Sequence, residues 1–154
     1  MALLLVLNLH GAINSPGPVR KALEELKVAR RFSASVVTDD PNTVGMLKLC
    51  KDFVAWSDLD ADFLASLLKK RGMVTETKEL DAASLKELGF KSHEEMAGRM
   101  LKEGLRLTAV GGIRPYFRLA PPKGGFRRSM RRQASENGIL GKNPKLEEIV
   151  RRMM

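Results

Sequence analysis

The sequence contains few of the residues that build disulfides, metal sites or catalytic dyads. It has one cysteine, Cys50, and two histidines, His10 and His93, in 154 residues. A single cysteine can form neither an internal disulfide nor a thiolate metal cluster, so we expect a reducing compartment and a buried, apolar Cys50. The two histidines lie far apart in the chain, and a structural or surface role is favoured for each over catalysis.

Long apolar runs and nucleotide-binding motifs are missing as well. The apolar start, Met1 to Leu9, is too short to span a bilayer and lacks the basic leader and cleavage site of a signal peptide. The glycine pairs at 111–112 and 124–125 match neither a P-loop nor a dinucleotide fingerprint. We therefore expect no membrane partner, no cofactor and no enzymatic activity.

The charge is strongly unbalanced and concentrated late in the chain. Lysine and arginine exceed aspartate and glutamate by 27 to 18, a formal net charge of +9, which favours a polyanionic partner. Residues 105–134 contain no acidic residue. Arginine predominates among the cations there, and guanidinium groups bind phosphate oxygens in a bidentate way. This segment therefore predicts an RNA-binding surface.

The predicted RNA-binding residues combine these cations with two aromatic residues and two cations of the first helix. Tyr116 and Phe126 lie among the arginines, where their rings could stack on bases or pack against the protein core. Asp39 and Asp40 could bind Mg²⁺, but a carboxylate before Pro41 is also explained as a helix N-cap. The full set is Arg114, Tyr116, Arg118, Lys123, Phe126, Arg127, Arg128, Arg131, Arg132, Arg20 and Lys21.

The order of apolar patterns predicts an α+β fold. Residues 3–9 alternate as a strand with one strongly apolar face, and a helix, a second strand, a second helix and a third strand follow by residue 57. This order indicates a split βαβ core with helices on one face of a small sheet. Residues 58–104 are predicted to be a helical insertion, and residues 105–154 a basic extension with a short C-terminal helix. Ser92 and Glu95 form a predicted capping box.

Several motifs resemble one family of large-subunit ribosomal proteins. They are Thr38-Asp39-Asp40, Gly45-Met46-Leu47, Lys51-Asp52-Phe53-Val54-Ala55-Trp56, Leu67 to Gly72, Phe117 to Phe126, and Ile149 to Met153. In this order and over the whole length, they are similar to the family called L thirty in archaea and L seven in eukaryotes. Cys50 stands where valine is expected, which changes a core position only.

The resemblance implies more than the residue patterns do. It implies a ferredoxin-like core, a cytoplasmic place in the large ribosomal subunit, and binding to 23S-type rRNA near the 5S rRNA and to neighbouring ribosomal proteins. The start without a long basic extension predicts the archaeal form. The family's RNA-facing features fall on the loop after the first strand and on the segment Pro121 to Phe126. A free RNA-binding regulator outside the ribosome is the alternative.

Overall fold

A computed structural model describes residues 2–154 as one six-stranded sheet covered by α-helices. The strands are β1 (Leu3–Asn8), β2 (Ser33–Thr38), β3 (Val54–Asp58), β4 (Phe117–Arg118), β5 (Ser129–Gln133) and β6 (Gly138–Lys142). The helices are α1 (Gly17–Glu25), α2 (Pro41–Leu49), α3 (Ala61–Arg71), α4 (Ala82–Glu87), α5 (His93–Glu103) and α6 (Leu146–Met153).

The sheet has the strand order β4-β2-β1-β3-β6-β5. β1 is antiparallel to both of its neighbours, with Leu5 opposite Val36 on β2 and Ser57 on β3. β2 and β3 are therefore parallel to each other, and α2 connects them across β1. This is a split βαβ unit, and it confirms the predicted α+β, ferredoxin-like core.

Both faces of β1 are buried, which corrects the expectation of helices on one face only. Leu5 and Leu7 point into the larger cluster with α3, α5 and α6, whereas Leu4 and Val6 pack against α1 and α2 on the other face. Every residue of β1 is buried. The sequence pattern could not show this, because the second face is covered by helices from residues 58–104 and from the C-terminus.

The helix starts follow the predicted signals, with two differences. Ser92 accepts a hydrogen bond from the Glu95 N–H at 3.1 Å, as expected for an N-cap. The Glu95 carboxylate, however, accepts from the N–H of Lys91 at 2.9 Å, one residue before the expected partner. At α2, Asp40 holds the N-cap position before Pro41, but the closest partner of its carboxylate is a distant arginine, described below.

The last quarter of the chain contributes β5, β6 and α6 to the fold. β6 lies inside the sheet, where Ala55 pairs with Gly141 on the β3 side, and β5 pairs with β6 at the edge in an irregular register. The apolar residues of β6 and α6 are buried in the larger cluster. They are Ile139, Leu140, Leu146, Ile149, Val150 and Met153. The predicted C-terminal helix is confirmed, and only residues 119–132 keep the character of an exposed basic segment.

Candidate nucleic-acid interface

Three chain segments meet at the end of the sheet where β1 finishes and β2 begins. They are the loop 9–16, the turn 27–32 and the basic segment 119–132. The Phe32 N–H donates to Asn8 O at 2.7 Å, and the Leu119 N–H donates to Phe32 O at 3.0 Å. His10 Nε2 lies 2.7 Å from Met130 O. Backbone and side-chain hydrogen bonds thus join all three segments into one surface, named here the sheet-end surface.

Asn8 fixes the shape of the loop 9–16 from inside the protein. Its side chain is fully buried, and its amide Nδ2 donates to Val28 O at 2.6 Å. Its Oδ1 accepts the N–H groups of His10 and Gly11 at 3.0 and 2.8 Å. One buried amide therefore satisfies three backbone groups and connects the loop to the turn before β2.

Most of the predicted RNA-binding cations are exposed and lack an acidic partner. Four ion pairs occur within residues 2–154, and only one of them uses a residue of the predicted set. The eight exposed cations outside these pairs are Arg20, Lys21, Arg118, Lys123, Arg127, Arg128, Arg131 and Arg132. Because these cations form no ion pair within residues 2–154, they remain available for an anionic ligand.

Arg114 and Tyr116 belong to a different environment. The Arg114 side chain is only 10% exposed, and its guanidinium lies 3.8 Å from Glu76 and 5.1 Å from the centre of the Tyr116 ring. The Arg114 N–H also donates to Met73 O at 2.8 Å. These contacts hold the residues just before β4 against the helical insertion. For Tyr116 they favour packing against the protein over stacking on an RNA base.

Phe126 anchors the basic segment while keeping part of its ring exposed. Its ring centre lies 5.9 Å from that of Phe32, at an interplanar angle of 32°. The Arg31 guanidinium lies 4.7 Å from the Phe32 ring centre, on the same cluster. The aromatic pair therefore attaches the start of the arginine run to the turn before β2.

The Pro-Pro-Lys-Gly-Gly loop is held by the last turn of α6. The Lys123 N–H donates to Arg152 O at 3.1 Å, and the Arg152 guanidinium donates to Gly125 O at 2.6 Å and Lys123 O at 3.3 Å. Gly124 and Gly125 have φ angles of +78° and +75°, which L residues with side chains rarely adopt. The glycine pair thus serves a tight turn that presents Lys123 to solvent.

Three cations of this region were missed by the sequence predictions. Arg30 and Arg31 are exposed in the turn before β2, and with Arg20 they border an open groove beside the loop 9–16. Arg152 was assigned only to the C-terminal helix. Arg30 and Arg31 could have been predicted from the sequence, because a cationic pair just before β2 must lie beside the end of an antiparallel β1.

Asp40, the second residue of the acidic pair before α2, has an ionic partner in the protein. Asp40 Oδ2 lies 2.9 Å from Arg106 Nη2, and Arg106 Nε donates to Thr38 Oγ1 at 2.9 Å. The neighbouring Thr43 and the charge of Arg106 lower the pKa of Asp40 despite partial desolvation. This carboxylate therefore links the end of β2 to the chain after α5. Among residues 2–154, no cluster of three or more metal-ligating side chains occurs.

The remaining reactive residues lie away from the sheet-end surface or inside the core. Cys50 is fully buried, as predicted, and burial raises the pKa of its thiol to about 11. His93 Nε2 lies 2.9 Å from Leu80 O, a structural contact within the insertion. Over residues 2–154, no helix combines the length and apolarity needed to cross a bilayer.

Comparisons with known proteins identify full-length relatives. The chain is 38% identical over 156 residues to large ribosomal subunit protein uL30 of Thermofilum pendens, with both chains covered completely. It is 35% identical to the protein of the same name in Nitrosopumilus maritimus, with 97% of each chain covered, and 32% identical to that of Nanoarchaeum equitans, with 99% of each covered. No protein-family model matches the chain.

Proposed function

The chain belongs to the family of large ribosomal subunit protein uL30, and from this membership we propose that it is a structural component of the large ribosomal subunit that binds folded rRNA through phosphate contacts. In this proposal the protein acts in the cytoplasm as part of the ribosome. It binds 23S-type rRNA near the 5S rRNA and contacts neighbouring ribosomal proteins. It catalyses no reaction, because its role is to fix the relative positions of RNA helices.

The single observation that carries the RNA-binding part is the free positive charge on the sheet-end surface and on Arg118, which precedes its basic segment. Arg118, Lys123 and the four arginines at 127, 128, 131 and 132 are exposed and have no acidic partner within 4.0 Å among residues 2–154. Cations that served stability or solubility alone would be expected to alternate with acidic residues. A folded surface of unpaired guanidinium groups instead matches the requirements of phosphate binding.

The three segments of the chain take different parts in this proposal. The segment 1–57 is the framework, and its described residues, 2–57, form the βαβαβ unit. Residues 58–104 form a scaffold layer whose charges are nearly balanced, with ten acidic and eight basic residues. Residues 105–154 supply the arginine segment and also complete the sheet. Arg114 and Tyr116 contribute to packing, and Phe126, half-buried against Phe32, is proposed to contact a base or a ribose beside the arginines.

Cofractionation tests the proposed assembly. A tagged chain expressed in an archaeal host should sediment with large subunits in a sucrose gradient, and crosslinks from the arginine segment should map to rRNA. A free RNA-binding regulator would remain near the top of the gradient. Sedimentation away from large subunits would contradict the proposal.

Salt dependence tests the proposed binding mechanism separately. If about five phosphates are neutralised, a plot of log affinity against log salt for an rRNA fragment should have a slope of roughly −4. An affinity that is nearly independent of salt would show that phosphate contacts do not dominate.

A further inference from the structure

We propose that His10 is a positioning residue that locks the arginine segment against the loop 9–16, so that both present a single, preorganised surface to RNA. This inference rests on the proposed RNA-binding function and deepens it. It gives the arginine segment an anchor to the loop 9–16, in addition to the pairing of β5 with β6.

The contact between His10 and Met130 joins residues that are 120 positions apart in the chain. Met130 lies in the middle of the arginine run, between Arg128 and Arg131. Because a carbonyl oxygen only accepts, the imidazole must donate through Nε2–H at the observed 2.7 Å. Both the neutral Nε2–H tautomer and the imidazolium ion supply this hydrogen, whereas the Nδ1–H tautomer cannot.

His10 is held both at its backbone and at its ring. The His10 N–H donates to the buried Asn8 Oδ1 at 3.0 Å, which fixes the backbone position of the residue. The His10 ring meets Phe53 edge to face, with ring centres 6.5 Å apart and an interplanar angle of 86°. A residue whose backbone is fixed by a buried amide and whose ring packs on an aromatic neighbour can hold a partner carbonyl at low entropic cost.

The other contacts of β5 show why one hydrogen bond matters here. β5 is the edge strand of the sheet, it pairs with β6 in an irregular register, and its residues are exposed or half-buried. The Gln133 side chain anchors its far end by donating to Lys51 O at 3.1 Å. The near end, next to Arg127 and Arg128, is held to the loop 9–16 by His10. Without that bond, the near end of β5 would keep its pairing with β6 but lose its side-chain anchor to the loop 9–16.

The test compares His10→Ala, His10→Gln and His93→Ala in the full-length protein. His93→Ala is a matched control, because it removes another imidazole bonded to a backbone carbonyl, but in the insertion. We expect His10→Ala to weaken binding to an rRNA fragment roughly threefold to tenfold, which corresponds to the loss of one hydrogen bond. His10→Gln keeps a side-chain N–H donor and should recover much of the affinity. His93→Ala should leave it unchanged.

Two further readouts separate positioning from other roles of His10. The salt slope should be the same for His10→Ala and wild type, because no phosphate contact is removed; a slope less steep by about 0.7 to 0.9 would show that His10 itself binds phosphate and would overturn the proposal. Limited trypsin digestion of the free protein should cut faster after the arginines at 127–132 in His10→Ala. Unchanged cleavage would likewise overturn it.

Digestion also distinguishes this inference from the proposed function. If wild type fails to bind rRNA, the proposed function fails, whereas faster cleavage in His10→Ala would still show that His10 fixes the segment. If cleavage accelerates but rRNA affinity stays at the wild-type value, the segment is positioned by His10 without consequence for RNA, and the proposal is wrong.

Discussion

Removal of the four arginines at 127, 128, 131 and 132 should flatten the salt dependence of RNA binding without unfolding the protein. Each side chain is exposed and has no acidic partner among residues 2–154, so replacement by glutamine should change the free energy of unfolding by at most about 0.5 kcal/mol per site. Each lost phosphate contact should reduce the slope by about 0.7 to 0.9. The slope should therefore change from roughly −4 to roughly −1.

The difference is large in a direct titration. Between 50 and 200 mM salt, a slope of −4 lowers the affinity about 250-fold, whereas a slope of −1 lowers it about fourfold. Fluorescence anisotropy with a labelled rRNA fragment measures the affinity of wild type and variant at each salt concentration. Circular dichroism checks that the variant is folded.

A control variant keeps the net charge equal while leaving the sheet-end surface intact. It replaces four exposed lysines of the helical insertion, namely Lys69, Lys70, Lys86 and Lys91, by glutamine. Both variants lower the formal net charge from +9 to +5. Equal flattening of the slope in both would show that net charge, rather than this surface, drives binding, and loss of the dichroism signal in the arginine variant would show that these arginines are structural.

Three further outcomes test the packing and electrostatics. Asn8→Ala removes a buried amide that bonds three backbone groups, so it should lower the free energy of unfolding by at least about 3 kcal/mol in urea titrations; a loss below about 1 kcal/mol would contradict this role. The lowered pKa of Asp40 gives stability that is present above its unfolded pKa, near 3.9, and is lost as the pH falls through the folded value. Because the Asp40–Arg106 pair is partly exposed, Asp40→Asn should remove no more than about 1 kcal/mol of pH-dependent stability between pH 5 and 3, measured by thermal melts. With its pKa raised to about 11, Cys50 should be ionised in only about one molecule per thousand at pH 8, so thiol reagents should react with it far more slowly in the folded than in the unfolded protein.

The framework could be predicted because its elements follow one another with short connections and strong patterns. The alternation in residues 3–9 indicated the first strand, and the predicted order of strand, helix, strand, helix and strand up to residue 57 matches β1, α1, β2, α2 and β3. Ser92 and Glu95 marked the start of α5 from local chemistry alone, because an N-cap serine bonds a backbone N–H within the same turn.

The assignments that failed depend on partners distant in the chain. Asn8 is a polar residue within the alternating segment 3–9, and its full burial depends on the bonds of its amide to Val28 and the loop backbone. β5 and β6 were not predicted, because a short strand with exposed arginines or with two glycines in five residues has little alternation to detect. Arg114 carried the same charge as its neighbours, and only the fold placed it beside Glu76.

The sequence by itself determined the chemistry of this protein: an acid-free run of arginines, a small α+β body and too few nucleophiles, bases or metal ligands to suggest catalysis. Tertiary structure decided which of those charges remain free and where they lie together. Local patterns record only which face of an element is apolar, whereas ion pairs and surfaces form between segments that the fold brings into contact. The bond from His10 to Met130, across 120 positions, is the clearest case, because no local pattern links its two residues.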